Sequence, residues 1–280
     1  MESFPAPAKL NLMLRVTGRR SDGYHLLQTV FRFIDRADEV RIAVRADGAI
    51  VRKRPLPGVA EQDDLTLRAA RALKTATGTP LGAEIEVVKH IPMGAGLGGG
   101  SSDAATVLLA LNRLWNAGVT REALQALGLT LGADVPVFIY GETALGEGIG
   151  ERLQALPLAP AWYLVLTPPV EVPTARVFAH PELKRDSKPI KIQGFSAGTS
   201  SIAAANDLET LVCRLYPEVA RHLEWLRQYA PALMTGSGAA VFAAFDNEHA
   251  ARDVFARLPP TMQGFVAGGL DRHPLYELAG

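Results

Sequence analysis

Five glycines fall within seven positions of IPMGAGLGGGSSDAATVLLALN: Gly94, Gly96, Gly98, Gly99 and Gly100, followed at once by Ser101 and Ser102. Glycine reaches φ > 0 without steric cost and lets backbone N–H groups come close to an anion. The residues before the run alternate like a strand, and those after it form a long apolar helical pattern. A helix N-terminus adds unpaired N–H donors and a partial positive charge, so phosphate is the group that suits this place. Two common phosphate loops are excluded. No Lys follows the glycines as in GxxxxGK[ST], and no acid follows a further strand about 20 residues on, as a dinucleotide fingerprint requires. Compensating positive charge must therefore come from another part of the chain. Ser101 and Ser102 can each cap the helix, donate to a phosphate oxygen or bind Mg²⁺, and their spacing does not choose among these.

The elements that must position this loop can be read coarsely. Residues 8–16, 25–34 and 38–44 read as three strands, and 83–91 as a fourth that runs into the glycines. Residues 63–77 read as an amphipathic helix capped by Asp63 and stopped by Gly78, 101–116 as a long helix, and 120–128 as a short one. The second half begins with an apolar strand at 162–168 and a proline-rich passage. Residues 184–201, rich in Ser, Gly and Lys, read as a loop or mobile lid. Helical segments occupy 206–229, strand–tight turn–strand 232–245, a helix opened by Asp246 or Asn247 follows, and 264–270 is a last strand. No internal repeat is present. The change of texture near Pro157 and Pro160 divides the chain into domains 1–155 and 156–280.

Composition narrows the function classes. Lys plus Arg and Asp plus Glu both total 29 in 280 residues, so the formal net charge is zero. A protein that depends on phosphate neutralisation along a nucleic acid carries a basic surplus, so nucleic acid is not an expected partner. Cys213, the single cysteine, rules out an intrachain disulfide and a multi-cysteine zinc site, and its helical context reads as a buried inert thiol. No histidine spacing of the HxxxH kind occurs. No secretory signal and no run of roughly 18 apolar residues is found, which leads to the expectation of a cytoplasmic protein without membrane partner.

PMGAGLGGGSSDAA resembles the ATP loop of the GHMP kinase superfamily, which includes galactokinase, homoserine kinase, mevalonate kinase and phosphomevalonate kinase. PAKLNLMLRVTGRRSDGYHLLQTVF and LMTGSGAAVFAAF resemble the family's N-terminal and C-terminal motifs, in its order and spacing. GYHLLQT and GADVPVF point within it to the branch that phosphorylates the 2-hydroxyl of a cytidine-diphosphate-linked methylerythritol in non-mevalonate isoprenoid synthesis. The resemblance implies an α+β fold of two domains, ribosomal-protein-S5-domain-2-like and then ferredoxin-like, with the site in the cleft between them. It implies ATP, Mg²⁺ without assigned ligands, and a small-molecule substrate carrying cytidine diphosphate. Oligomeric state is not implied.

Carried over by position, the resemblance makes Lys9 and Asp134 catalytic. It assigns Pro92, Met93, Gly94, Ala95, Gly96, Leu97, Gly98, Gly99, Gly100, Ser101 and Ser102 to ATP, and Asn11, Tyr24, His25, Thr174 and Phe178 to the substrate. An aromatic ring can stack on cytosine and a histidine can hydrogen-bond to its edge. Backbone N–H groups of Gly236, Ser237 and Gly238 can touch substrate phosphates, although a tight hairpin explains the same glycines. From local sequence alone, Asp134 before Val135–Pro136 reads equally well as a cap, Lys9 as a solvated strand residue and Phe178 as core. Asp103 stands where some relatives carry Asn; a first-turn acid can simply favour the helix dipole, and its role is left open by the sequence. The alternatives are a homoserine- or mevalonate-type kinase, a nucleotide-binding protein without turnover, and a nucleic-acid-binding domain.

Overall fold

The computed structural model describes residues 1–190 and 205–279. Its backbone is a long antiparallel pair, β1 (Glu2–Arg19) and β2 (His25–Arg45), joined by a turn in which Gly23 takes φ 93°. The expected strands 25–34 and 38–44 are thus one strand. Register passes from Ile34↔Ala8 to Ala37↔Pro7, so Asp35 and Arg36 bulge out of the ladder, which explains why this polar stretch reads as a break. A second irregularity falls between Asn11 and Met13 on β1.

β3 (Ile50–Arg52) runs parallel to β4 (Gly82–Val88), and β4 pairs antiparallel with β2. Four helices follow in this half: α1 (Leu65–Thr77), α2 (Gly99–Leu114), α3 (Arg121–Leu129) and α4 (Val135–Tyr140). The cap of α1 is Asp64 rather than Asp63; its carboxylate accepts from the Thr66 amide at 2.9 Å and the Thr66 hydroxyl at 2.6 Å. Gly78 ends the helix at φ 66°, as expected. α2 begins two residues before Ser101 because Gly99 and Gly100 already take helical geometry. β5 (Ala144–Gly148) and β6 (Arg152–Ala155) close this side on the first part of β2.

The second half holds β7 (Trp162–Leu166), α5 (Thr174–Ala179), α6 (Glu209–Leu215), α7 (Pro217–Arg227), β8 (Ala232–Met234), β9 (Val241–Phe245), α8 (Glu248–Phe255) and β10 (Gly264–Leu270). Asn247, not Asp246, caps α8. The four strands lie antiparallel in the order β10-β7-β9-β8. β10 then pairs Gly269 and Leu270 with Ile34 and Phe33 of β2, so one ten-stranded sheet runs through both halves. Of the loop expected over 184–201, residues 191–201 lie outside the described residues. Residues 184–190 have no regular structure and run beside β1 and β2, with the Ser187 amide on Val16 O and the Ile190 amide on Gln28 Oε1.

Four apolar clusters occur among the described residues, the smallest joining Met13, Val30, Leu145 and Leu156. The largest packs α1, α2 and α4 on β2 and β4 through residues such as Phe33, Ile42, Leu73, Ile85, Leu108 and Phe138, and the chain end joins it through Leu275, Leu278 and Ala279. A second gathers Leu164, Leu166, Val177, Val212, Leu223 and Val241. The third brings Leu10 and Ile34 of the first half against Tyr163, Val165 and Phe242 of the second, with Ile91, Ala95 and Leu97 from the glycine segment laid over them. Burial of these loop side chains anchors the loop while its glycine backbone stays in the open cleft. Among the described residues, no helix is long and apolar enough to cross a membrane.

Candidate active site

The alternation of β1 turns Lys9 and Asn11 to the same face, and both are buried. Lys9 Nζ donates to Asn11 Oδ1 at 2.6 Å and to Gly96 O at 3.0 Å, and lies 3.2 Å from Asp134 Oδ2. Asn11 is itself held: its Nδ2 donates to Thr29 Oγ1 at 2.8 Å, and its amide donates to Thr235 Oγ1 at 2.9 Å. β1 thus brings a buried ammonium against the carbonyl of Gly96, in a loop that has no lysine of its own. Lys9 is not a solvated strand residue, and its ammonium carries one of the few positive charges placed inside the cleft wall.

Asp134 precedes α4, yet its side chain makes no capping hydrogen bond. The carboxylate instead faces Lys9 and remains 38% exposed towards the cleft. At 3.2 Å and an effective dielectric near 20, the attraction is about 5 kcal/mol before desolvation, and hydration of the exposed partner lowers it.

The glycine loop is pinned from both sides. Lys9 N donates to Leu97 O at 3.0 Å, and Ala240 N donates to Ala95 O at 3.1 Å. Gly94, Gly96 and Gly98 take φ 66°, 74° and 73°, an alternation that turns successive amides to one side. A Cβ on Gly96 would stand 2.4 Å from Thr235 O, so only glycine permits this approach. The cap of α2 is Gly98, which has no side chain to bond the first-turn amides. Those donors stay free for an anion, as neither serine acts as the cap. The two serines part company here: Ser102 is fully buried with its hydroxyl on Pro7 O at 2.7 Å, whereas Ser101 lines the cleft.

The cleft has a volume of about 540 Å³, and its lining includes Lys9, Asn11, Pro92 to Ser101, Asp134, Thr174, Phe178, Gly236 and Ser237. Gly236 and Ser237 come from the connection between β8 and β9, which spans 235–240 and is longer than the expected tight turn. Ser237 Oγ lies 2.7 Å from Thr174 Oγ1. Gly238 is not part of the lining and packs beside Met234. Neither Tyr24 nor His25 belongs to the lining: Tyr24 is largely exposed, while His25 is buried and packs at a tilt against Phe178, with ring centroids 5.0 Å apart. Burial, then the positive charges of Arg185 and Arg19, hold the His25 imidazole below its ordinary pKa.

Several contributors have no local sequence signal. Thr29 and Thr235 buttress Asn11, and Asn206 Nδ2 ties down the 235–240 connection through Met234 O at 2.8 Å and Gly236 O at 2.7 Å. Asp103, whose role the sequence leaves open, is the fifth residue of α2 and so lies beyond its first turn. It is buried, pairs with Lys89 at 2.8 Å, and lines the cleft; Lys89 also bonds Asp38. Burial is the main reason its carboxyl rises to about 7, with Lys89 opposing the rise.

Comparison with known proteins agrees with this geometry. The family model described as GHMP kinases N terminal domain matches residues 64–142, and that described as GHMP kinases C terminal matches 197–262. A Thiobacillus denitrificans protein named 4-diphosphocytidyl-2-C-methyl-D-erythritol kinase is 62% identical over 276 residues, covering 99% of this chain and 98% of its own. The chain belongs to the 4-diphosphocytidyl-2-C-methyl-D-erythritol kinase family. A relative of the same name from Nitrosospira multiformis is 59% identical, covering 99% of this chain and 94% of its own. A crystal structure of 4-(cytidine 5'-diphospho)-2C-methyl-D-erythritol kinase superposes with a TM-score of 0.81 at 36% identity, covering 96% of this chain and 99% of the other. A mevalonate kinase structure at 14% identity has a TM-score of 0.70, over 97% of this chain and 100% of its own, which shows the shared fold alone. The architecture is thus the two-domain α+β fold of the GHMP kinases.

Proposed function

We propose that this chain transfers the γ-phosphoryl group of ATP to the 2-hydroxyl of 4-diphosphocytidyl-2-C-methyl-D-erythritol, with Asp134 and Lys9 at the reacting centre. Phosphoryl transfer needs an oriented nucleophile, neutralisation of the developing negative charge and exclusion of competing geometries. Asp134 holds the substrate hydroxyl in line and takes its proton. Lys9 balances the carboxylate and faces the loop end where the terminal phosphate lies. The amides of 94–101 receive the phosphate chain. The observation that carries this reading is the 3.2 Å approach of Lys9 to Asp134 beside the carbonyl of Gly96.

The cytidine end lies against Phe178 and His25, with Asn11, Thr174 and the 236–238 backbone towards the diphosphate. Tyr24, exposed and adjacent to His25 in the chain, is a second aromatic side chain available to the base. Mg²⁺ brought with ATP would supply charge neutralisation to the phosphate chain. Such an ion is commonly held mainly by phosphates and water. Of the two serines, Ser101 lines the cleft and would be the one available to such an ion, since the Ser102 hydroxyl is bonded to Pro7 O. The division at 155/156 and a cytoplasmic setting belong to the same proposal.

A coupled ADP-release assay tests it, with the cytidylylated methylerythritol offered against mevalonate and homoserine. Turnover confined to the cytidylylated substrate is expected. Preference for either of the others would replace this reading with that of another GHMP kinase branch.

A further inference from the structure

Arg185 lies outside the cleft lining, in the passage that follows α5. Its five N–H bonds meet five acceptors. One terminal nitrogen reaches Phe178 O at 3.0 Å and His180 O at 2.8 Å, the other Leu183 O at 2.9 Å and Pro181 O at 3.4 Å, and Nε reaches His25 Nε2 at 3.0 Å. Two of these carbonyls close the end of α5, where backbone acceptors lack helical partners. The same guanidinium therefore fixes the backbone of Phe178 and the ring that packs against it.

A guanidinium does not lose its proton in a protein, so Nε–H is a donor under all working conditions. The nitrogen facing it must present a lone pair. In a neutral imidazole one ring nitrogen carries the hydrogen, so at His25 that nitrogen is Nδ1. A charged imidazolium is excluded by the same contact, and the lowered pKa of His25 agrees. Among the described residues Nδ1 has no hydrogen-bond partner, which leaves its N–H as a directed donor beside the Phe178 ring.

A fixed donor distinguishes pyrimidines. Cytosine presents a lone pair at N3, whereas uracil presents N–H there. We propose that Arg185 is a positioning residue that sets cytosine-over-uracil selectivity by holding His25 as the Nδ1–H tautomer. The proposal rests on the reading that the base lies against His25 and Phe178. Two donors brought face to face leave both unsatisfied, which corresponds to about 10- to 100-fold weaker binding.

Nitrogen NMR of histidine-labelled full-length protein reads the tautomer directly and needs no variant. His25 is expected to show a protonated Nδ1 and an unprotonated Nε2; a protonated Nε2 in the native protein overturns the proposal. Calorimetry with CDP and UDP as probes reads the selectivity. Wild type is expected to prefer CDP, and Arg185→Gln to lose about 10- to 100-fold of that preference, with KM for the cytidylylated substrate raised and kcat nearly kept. Arg185→Lys, which restores a cationic donor, should recover part of the preference. If CDP perturbs the His25 signals and Arg185→Gln still keeps the full preference, the role of Arg185 is refuted while the base site stands. If neither nucleotide perturbs them, the base-site assignment fails and the proposal falls with it.

Discussion

The Lys9–Asp134 pair is unequally exposed, 3% against 38%, and this makes its two halves respond differently to mutation. Asp134→Asn leaves a buried ammonium with only the neutral acceptors Asn11 Oδ1 and Gly96 O. Removing one partner of a fully buried pair costs about 3–5 kcal/mol. Here the lost carboxylate borders the open cleft, so about 1–3 kcal/mol is expected. Lys9→Met keeps the aliphatic stem beneath Gly98 and beside Phe31 but removes the charge. Asp134 then simply hydrates. The hydrogen bonds to Asn11 and Gly96, each worth about 1 kcal/mol net, are lost, but the desolvation cost of the ammonium disappears too. The net change should stay within about 1 kcal/mol. Both variants should lose about 10²- to 10⁴-fold in kcat, because base or charge stabilisation is gone. Thermal melts beside the ADP-release assay read both quantities. Asp134→Asn should lower Tm by roughly 2–8 °C, and Lys9→Met by no more than about 3 °C. A larger loss in Lys9→Met than in Asp134→Asn would show that Lys9 is a structural residue and refute the assignment.

Gly96→Ala forces a Cβ to within 2.4 Å of Thr235 O and 2.9 Å of Gly238 O at a φ of 74°, so the loop and the 235–240 connection must separate; urea unfolding should report a loss of about 2–4 kcal/mol, and KM for ATP should rise. Gly100→Ala, whose Cβ meets only Leu65 at 3.7 Å inside a helix, should be neutral or gain about 0.5–1 kcal/mol by the same measurement. The Asp103 carboxyl titrates near 7 in the fold against an ordinary value of 3.8, so its ionisation opposes folding as pH rises between those values. Asp103→Asn should therefore gain stability relative to wild type as pH is raised from about 4 to 7, and a pH-independent difference would refute it. His273, buried between Phe33 and Phe138, has its pKa lowered to about 3, chiefly by burial. Below about 6.5 the unfolded chain takes up a proton that the fold refuses, so stability falls with pH towards 3; His273→Gln should flatten that acid arm in urea midpoints.

Elements built from contacts near in sequence were legible. The glycine run between a strand and an apolar helix implied free amides for phosphate because φ > 0 and a helix N-terminus are local properties. The alternation of β1 and the periodicity of α1 and α3 were equally plain, and the GYHLLQT and GADVPVF motifs carried the family. Boundaries that depend on side-chain competition were less so: Asp64 displaced Asp63 as a cap, and a bulge at Asp35–Arg36 resembled a strand end.

What the tertiary structure decided is everything that depends on two distant segments meeting. Lys9 reads as a solvated strand residue until Gly96 O, 87 residues on, and Asp134 are packed against it. Asn11 becomes a fixed support only because Thr235, 224 residues on, reaches its amide. Arg185 has no motif at all, and its contact with His25 spans 160 residues. Ser101 and Ser102 are alike as text, yet helix phase and the neighbouring Pro7 carbonyl bury one hydroxyl and leave the other facing the cleft. Residue type sets what a group can donate, accept or carry. Burial and the partner across the fold set which of those capacities remains available, and neither is a property of a short stretch of chain.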